Sequence, residues 1–102
     1  MNNRKRSRAI ARRKAEYSKR VALHKLLDVV LDINGVEERN RDITGYRPTV
    51  FLRISGHVGI VDIEVHRHGW TQGDRPEFSE WVNFDNLDNL IEDLVEERDS
   101  YE

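Results

Sequence analysis

Apolar positions along the chain change period twice, and each period selects a type of element. From residue 17 to 33 they follow a helical repeat: Tyr17, Val21, Leu23, Leu27, Val30 and Leu31 gather on one broad face, and Leu26 and Ile33 widen it. Asn34-Gly35 predicts the end of this helix, since glycine takes the left-handed C′ conformation without a Cβ clash. Its start is less marked, with Asn2-Asn3 or Ser7 available as side-chain caps. His24 falls within the apolar half and reads as an ordinary helix residue rather than a ligand.

Residues 49–67 alternate instead with a period of two, the signature of strands. A two-residue type II′ turn at Gly56-His57 would pair Ser55 with Val58, Leu52 with Val61 and Val50 with Ile63. One face then carries Val50, Leu52, Ile54, Val61, Ile63 and Val65. The other carries Phe51, Arg53, Ile60, Asp62, Glu64 and His66. Residues 77–84 predict a third strand, with Phe78, Val82 and Phe84 inward and Trp81 outward. Glu80 also falls inward, which suits a position near a sheet edge or beside a partner. Phe51, Ile60 and Trp81 would form an apolar patch on the outer face, either open to a partner or covered by the 36–48 loop.

A helical period returns at 85–99. Leu87, Leu90, Ile91, Leu94 and Val95 stand at i, i+3, i+4, i+7 and i+8. Asp85 is the expected N-cap, with Asp88 completing a box-like spacing. The order is therefore α-β-β-β-α, an α+β fold with two helices packed on one face of a three-stranded antiparallel sheet. It makes residues 1–102 a single domain, with 1–16 projecting as a basic arm.

Charge changes this picture most. Residues 1–25 hold ten cations, Arg4, Lys5, Arg6, Arg8, Arg12, Arg13, Lys14, Lys19, Arg20 and Lys25, against the single acid Glu16. Residues 26–102 hold seven Arg and no Lys against eighteen acids, so the net charge of -2 conceals a dipole. A solvated tail would account for a basic run of this kind, but its density exceeds what solubility asks for and favours binding of phosphates. The closing helix presents Asp88, Glu92, Asp93, Glu96 and Asp99, either as a solvated face or as an acidic ridge imitating nucleic-acid phosphates.

Little in the chain points to catalysis. There is no cysteine, phosphate-cradling glycine loop or nucleophile elbow. Asp62, Glu64, His66 and His68 share one strand side and include imidazole and carboxylate ligands suited to zinc or manganese. A polar strand face explains the same spacing, and the expectation is a non-enzyme without metal or cofactor. Trp70 and Tyr46 lie in predicted loops and can stack on bases, while Trp81 is the other candidate aromatic contact. No apolar run is long enough to span a membrane, and the basic start lacks the apolar core of a secretion signal.

The Arg/Lys-rich leading helix over 4–20, the strands at Thr49–Ser55, 58–67 and 77–84, and the acidic helix at 85–99 resemble the small phage or mobile-element anti-CRISPR proteins that inhibit single-protein RNA-guided DNA nucleases. The resemblance implies a non-catalytic inhibitor that blocks target-DNA binding or cleavage in the cytoplasm of a bacterial host. Its partner would be the nuclease or its guide RNA. The basic arm departs from a purely acidic DNA mimic. It leaves open a small DNA- or RNA-binding regulator, and also self-association of one chain's arm with another's acidic helix.

Overall fold

In the computed structural model, which describes residues 3–38 and 47–101, the chain runs α1 (Asn3–Asn34), β1 (Thr49–Ser55), β2 (Ile60–His66), β3 (Phe78–Asn83), a 3-10 turn (Phe84–Asn86) and α2 (Leu87–Ser100). The strands form an antiparallel sheet in the order β1-β2-β3. The expected α-β-β-β-α order is therefore the observed one.

No glycine or proline interrupts residues 3–34, and Arg, Lys, Ala and Leu supply helix-favouring side chains throughout. The resulting 32-residue α1 rises about 48 Å, and the molecule measures 63 × 25 × 23 Å. Its radius of gyration of 17.2 Å exceeds the roughly 13 Å of a compact chain this long. Helix stop chemistry is as expected: Gly35 has φ +71° and donates its N–H to Leu31 O at 2.7 Å. At the other end Ser7 lies inside the helix, and the candidate cap Asn2 lies outside the described residues.

The inner face of the sheet and the two helices share one core, built from Leu26, Val29, Val30 and Ile33 of α1, Val50, Val61, Ile63 and Val65 of the sheet, and Leu87, Leu90 and Leu94 of α2. This corrects the helical face expected for α1. Ala22, Leu26, Val29, Val30 and Ile33, at i, i+4, i+7, i+8 and i+11, point inward, and Leu23 packs beside them. Tyr17, Val21, Leu27 and Leu31 are exposed. The α1 sequence carries two apolar stripes on opposite sides, and the broad expected face mixed them.

The hairpin register also differs from expectation. Ser55 pairs with Ile60, Leu52 with Ile63 and Val50 with Val65, two residues beyond the predicted partners. The turn spans four residues, 56–59, and its left-handed glycine is Gly59 at φ +64° rather than Gly56. Gly59 O accepts the Phe84 N–H at 2.9 Å, tying the turn to the end of β3. A two-residue shift keeps every side chain on its face, so Val50, Leu52, Val61, Ile63 and Val65 reach the core as expected, whereas Ile54, opposite Val61 near the hairpin end, stays exposed.

Two boundary expectations at the start of α2 change together. The third strand ends at Asn83, and Phe84 and Asp85 enter the 3-10 turn. Asn86 rather than Asp85 stands at the N-cap, without a side-chain cap hydrogen bond. Asp85 instead meets Lys19 of α1 at 3.2 Å. Glu80 does face inward, opposite Ile63, and its place on edge strand β3 leaves it only half-buried.

Asn34 has a role beyond helix termination. Its Nδ2 donates to Val50 O at 2.8 Å, and its Oδ1 accepts the Val50 N–H at 2.7 Å. The side-chain amide thus occupies one position along the open edge of β1, locking the end of α1 to the sheet.

Candidate nucleic-acid and partner interface

The two charged surfaces lie on different helices and approach each other where Asp85 and Asp88 border the groove that Ala15, Ser18 and Lys19 line on α1. Core packing on α1 begins at Ala22, and an open groove between α1 and Phe84, Asp85, Leu87 and Asp88 reaches back to Ala15. From Arg6 to Ser18 every residue except the half-buried Ala9 is exposed. Arg6, Arg8, Arg12, Arg13, Lys14 and Arg20 all present their charge to solvent, while Lys19 is half-buried beside Asp85. Arg4 and Lys5 belong to the same helix, with side chains outside the described residues. A first turn without acids leaves the helix dipole opposed by cations, which favours an anion at this end.

On α2, the core stripe of Leu87, Leu90 and Leu94 dictates what the other side presents. Asp88, Glu92, Asp93, Glu96 and Asp99 are all exposed. Asp88, Glu92, Glu96 and Asp99 fall within about 80° of arc at 100° per residue, with Asp93 flanking them. Asp99 is partly neutralised by Arg98, whose Nε lies 3.2 Å from Asp99 Oδ1 while its NH1 reaches Asp32 of α1 at 3.0 Å. That second contact ties the two helices together.

The predicted aromatic patch divides in two. Phe51 lies opposite Glu64 and Trp81 opposite Asp62, with Ile60 opposite Asn83, so the three do not form one cluster. Trp81 stands 67% exposed. Phe51 instead meets His66, 5.5 Å away at 85°, and Trp70, 5.8 Å away at 75°. This edge-to-face cluster leaves Trp70 half-open and buries His66 to 2% exposure. Tyr46 and residues 39–46 of the expected covering loop lie outside the described residues.

The strand-face constellation does not assemble a ligand set. His66 Nε2 makes no hydrogen bond among the described residues and lies 3.9 Å from Glu64. Asp62 faces Arg53 at 3.6 Å, and His68 belongs to the turn after β2. Among the described residues no three His, Asp or Glu side chains come together as a metal site.

Sequence reasoning missed one polar cluster. Arg67, just past β2, donates from Nε to both Glu97 oxygens at 3.0 and 3.2 Å and also pairs through its NH2 group. The Tyr101 hydroxyl donates to Glu97 Oε2 at 2.7 Å. The Arg67 hydrogen bond holds the Glu97 carboxyl below the usual carboxylate range, against partial burial, and the Tyr101 hydroxyl assists. Burial first, then Glu97, pushes the Tyr101 phenol up. Because Glu97 is depressed on folding, its contribution is present above the unfolded carboxylate value and is lost as pH falls through the folded one. Glu97→Gln is expected to lower stability near neutrality by about 1 kcal/mol, discounted for the half-exposed Arg67. Thermal melts at neutral and acid pH check this: the gap between wild type and variant closes in acid, and a gap independent of pH contradicts the role.

No protein-family model, curated protein or solved structure matches this chain. The arm carries exposed cations around a helix, suited to phosphate oxygens. The ridge is a row of carboxylates on another, suited to a cationic protein channel. No helix among the described residues is long and apolar enough to cross a membrane.

Proposed function

We propose that the protein is a non-catalytic interaction protein that binds and inhibits a bacterial nucleic-acid enzyme. Its action would be of the kind implied by the resemblance to anti-CRISPR inhibitors of RNA-guided DNA nucleases. The carrying observation is the separation of charge on one elongated body: an exposed basic stretch of α1 that extends past the core, and an exposed acidic stripe on α2. The arm lies along guide-RNA or DNA phosphates and gains affinity from counterion release. The ridge occupies part of a cationic surface that otherwise receives nucleic acid, and target DNA is kept out.

A small DNA- or RNA-binding regulator is the second reading. It is favoured by the arm itself, where exposed cations such as Arg6, Arg8, Arg12 and Lys14 surround the helix rather than line one side. Titration of the chain with labelled duplex DNA and duplex RNA across a salt series tests the part common to both readings. Steeply salt-dependent binding is expected, and no binding even at low salt removes the arm from either mechanism.

A further inference from the structure

Among the described residues, the second apolar stripe of α1 is left exposed and packs into no core. Ile10, Tyr17, His24 and Leu31 recur every seven residues, flanked by Val21 and Leu27, and all six are exposed. A seven-residue repeat of this kind supplies one of the two seam positions per heptad of a two-helix coil, with Val21 and Leu27 at the intervening positions in the middle of the helix and Arg13 and Lys14 there toward its start. It lies opposite the core stripe of Ala22, Leu26, Val29 and Ile33, so the sheet does not obstruct it. Tyr17 is 70% exposed and Leu31 40%, more apolar surface along one helix than solubility favours.

Charge selects the occupant and its direction. Residues 4–14 carry seven cations and no acid, whereas residues 26–38 carry Asp28, Asp32, Glu37 and Glu38 and no cation. A parallel pair of α1 helices would set the cationic halves side by side. An antiparallel pair sets each cationic half beside the other chain's acidic segment.

We infer that α1 pairs with α1 of a second copy as an antiparallel two-helix coil, with its two-fold axis near Val21. In this register Ile10 lies beside the second copy's Leu31, Tyr17 lies between its His24 and Leu27, and Lys14 faces its Asp28. Arg8 and Arg12 lie off the seam, so both arms keep cations for phosphates. The pairing is independent of the proposed inhibition, because it is read from the full chain alone.

Sedimentation of the full chain, free of nucleic acid, tests it. Wild type is expected to be a dimer at micromolar concentration, and Tyr17→Asp with Leu31→Asp is expected to weaken dimerisation at least about a hundredfold, while circular dichroism stays that of the folded chain. Both replaced residues are solvent-exposed, so the fold does not depend on them. Arg13→Glu with Lys14→Glu is expected to weaken the dimer, and adding Asp28→Lys to restore it. Because the chain has no cysteine, an equimolar mixture of Ile10→Cys and Leu31→Cys chains reports direction without interference. Disulfides between the two different variants are expected to predominate. A monomeric wild type, a dimer indifferent to the Asp substitutions, failure of the charge exchange to restore it, or predominance of like-with-like disulfides overturns the inference.

Discussion

Replacing Arg8, Arg12, Arg13 and Arg20 together by Gln is expected to weaken binding to a nucleic-acid duplex at least about a hundredfold at roughly 50 mM salt. Each phosphate neutralised contributes about -0.9 to the slope of log affinity against log salt on duplex DNA, so removing four cations flattens that slope by about 3 to 4. The four side chains are exposed, and the electrostatic effect should therefore come without a matching loss of stability. Fluorescence anisotropy across a salt series reads both quantities. An unchanged slope would show that the arm does not meet phosphates.

Leu26→Ala and Leu27→Ala, one residue apart, are expected to behave oppositely. Leu26 is fully buried between α1, the sheet and α2, and truncating it leaves a cavity costing about 2–5 kcal/mol. At this chain length each kcal/mol lowers the melting temperature by about 4–8 °C. Leu27 is 41% exposed on the other stripe, and its truncation should leave the stability of the monomer within about 1 kcal/mol. Thermal melts at a concentration where the chain is monomeric compare the two. Equal losses would mean that the two stripes of α1 are not divided between core and solvent.

The helical face shows where periodicity stops being informative. The element order was legible because each segment matches one period strongly, and the α2 stripe of Leu87, Leu90 and Leu94 is buried as the spacing predicts. α1 was legible as a helix but not in its rotation, since leucines at both 26 and 27 satisfy a broad apolar face and only the packing partners decide between them. The hairpin illustrates a related blindness. Hydrophobic alternation fixes the face of a strand to the nearest one residue, but a shift of two costs it nothing, and either glycine of the 56–59 turn offers the needed backbone freedom.

The charged surfaces were easier to read than the polar contacts. Exposed side chains keep the character they have in the sequence, so the acidic ridge and the arm from Arg6 to Lys14 are exposed as their charge suggests, whereas Lys19 is half-buried beside Asp85. Asn34 on the Val50 backbone and Arg67 with Glu97 and Tyr101 depend instead on distant segments meeting. Asn34 already had a complete local explanation as part of a helix stop, which hid its second role. His66 was placed correctly on the outer strand face, where only the meeting of Phe51 and Trp70 makes it a buried residue.

Binding to the enzyme itself, and not only to its nucleic acid, is tested most directly by retention of a protein from bacterial lysate after complete digestion of RNA and DNA. Wild type should retain an RNA-guided nuclease or another nucleic-acid enzyme after digestion, and Asp88→Lys, Glu92→Lys and Glu96→Lys together should release it. Capture that disappears entirely with digestion, or that the reversed ridge leaves intact, would contradict the account.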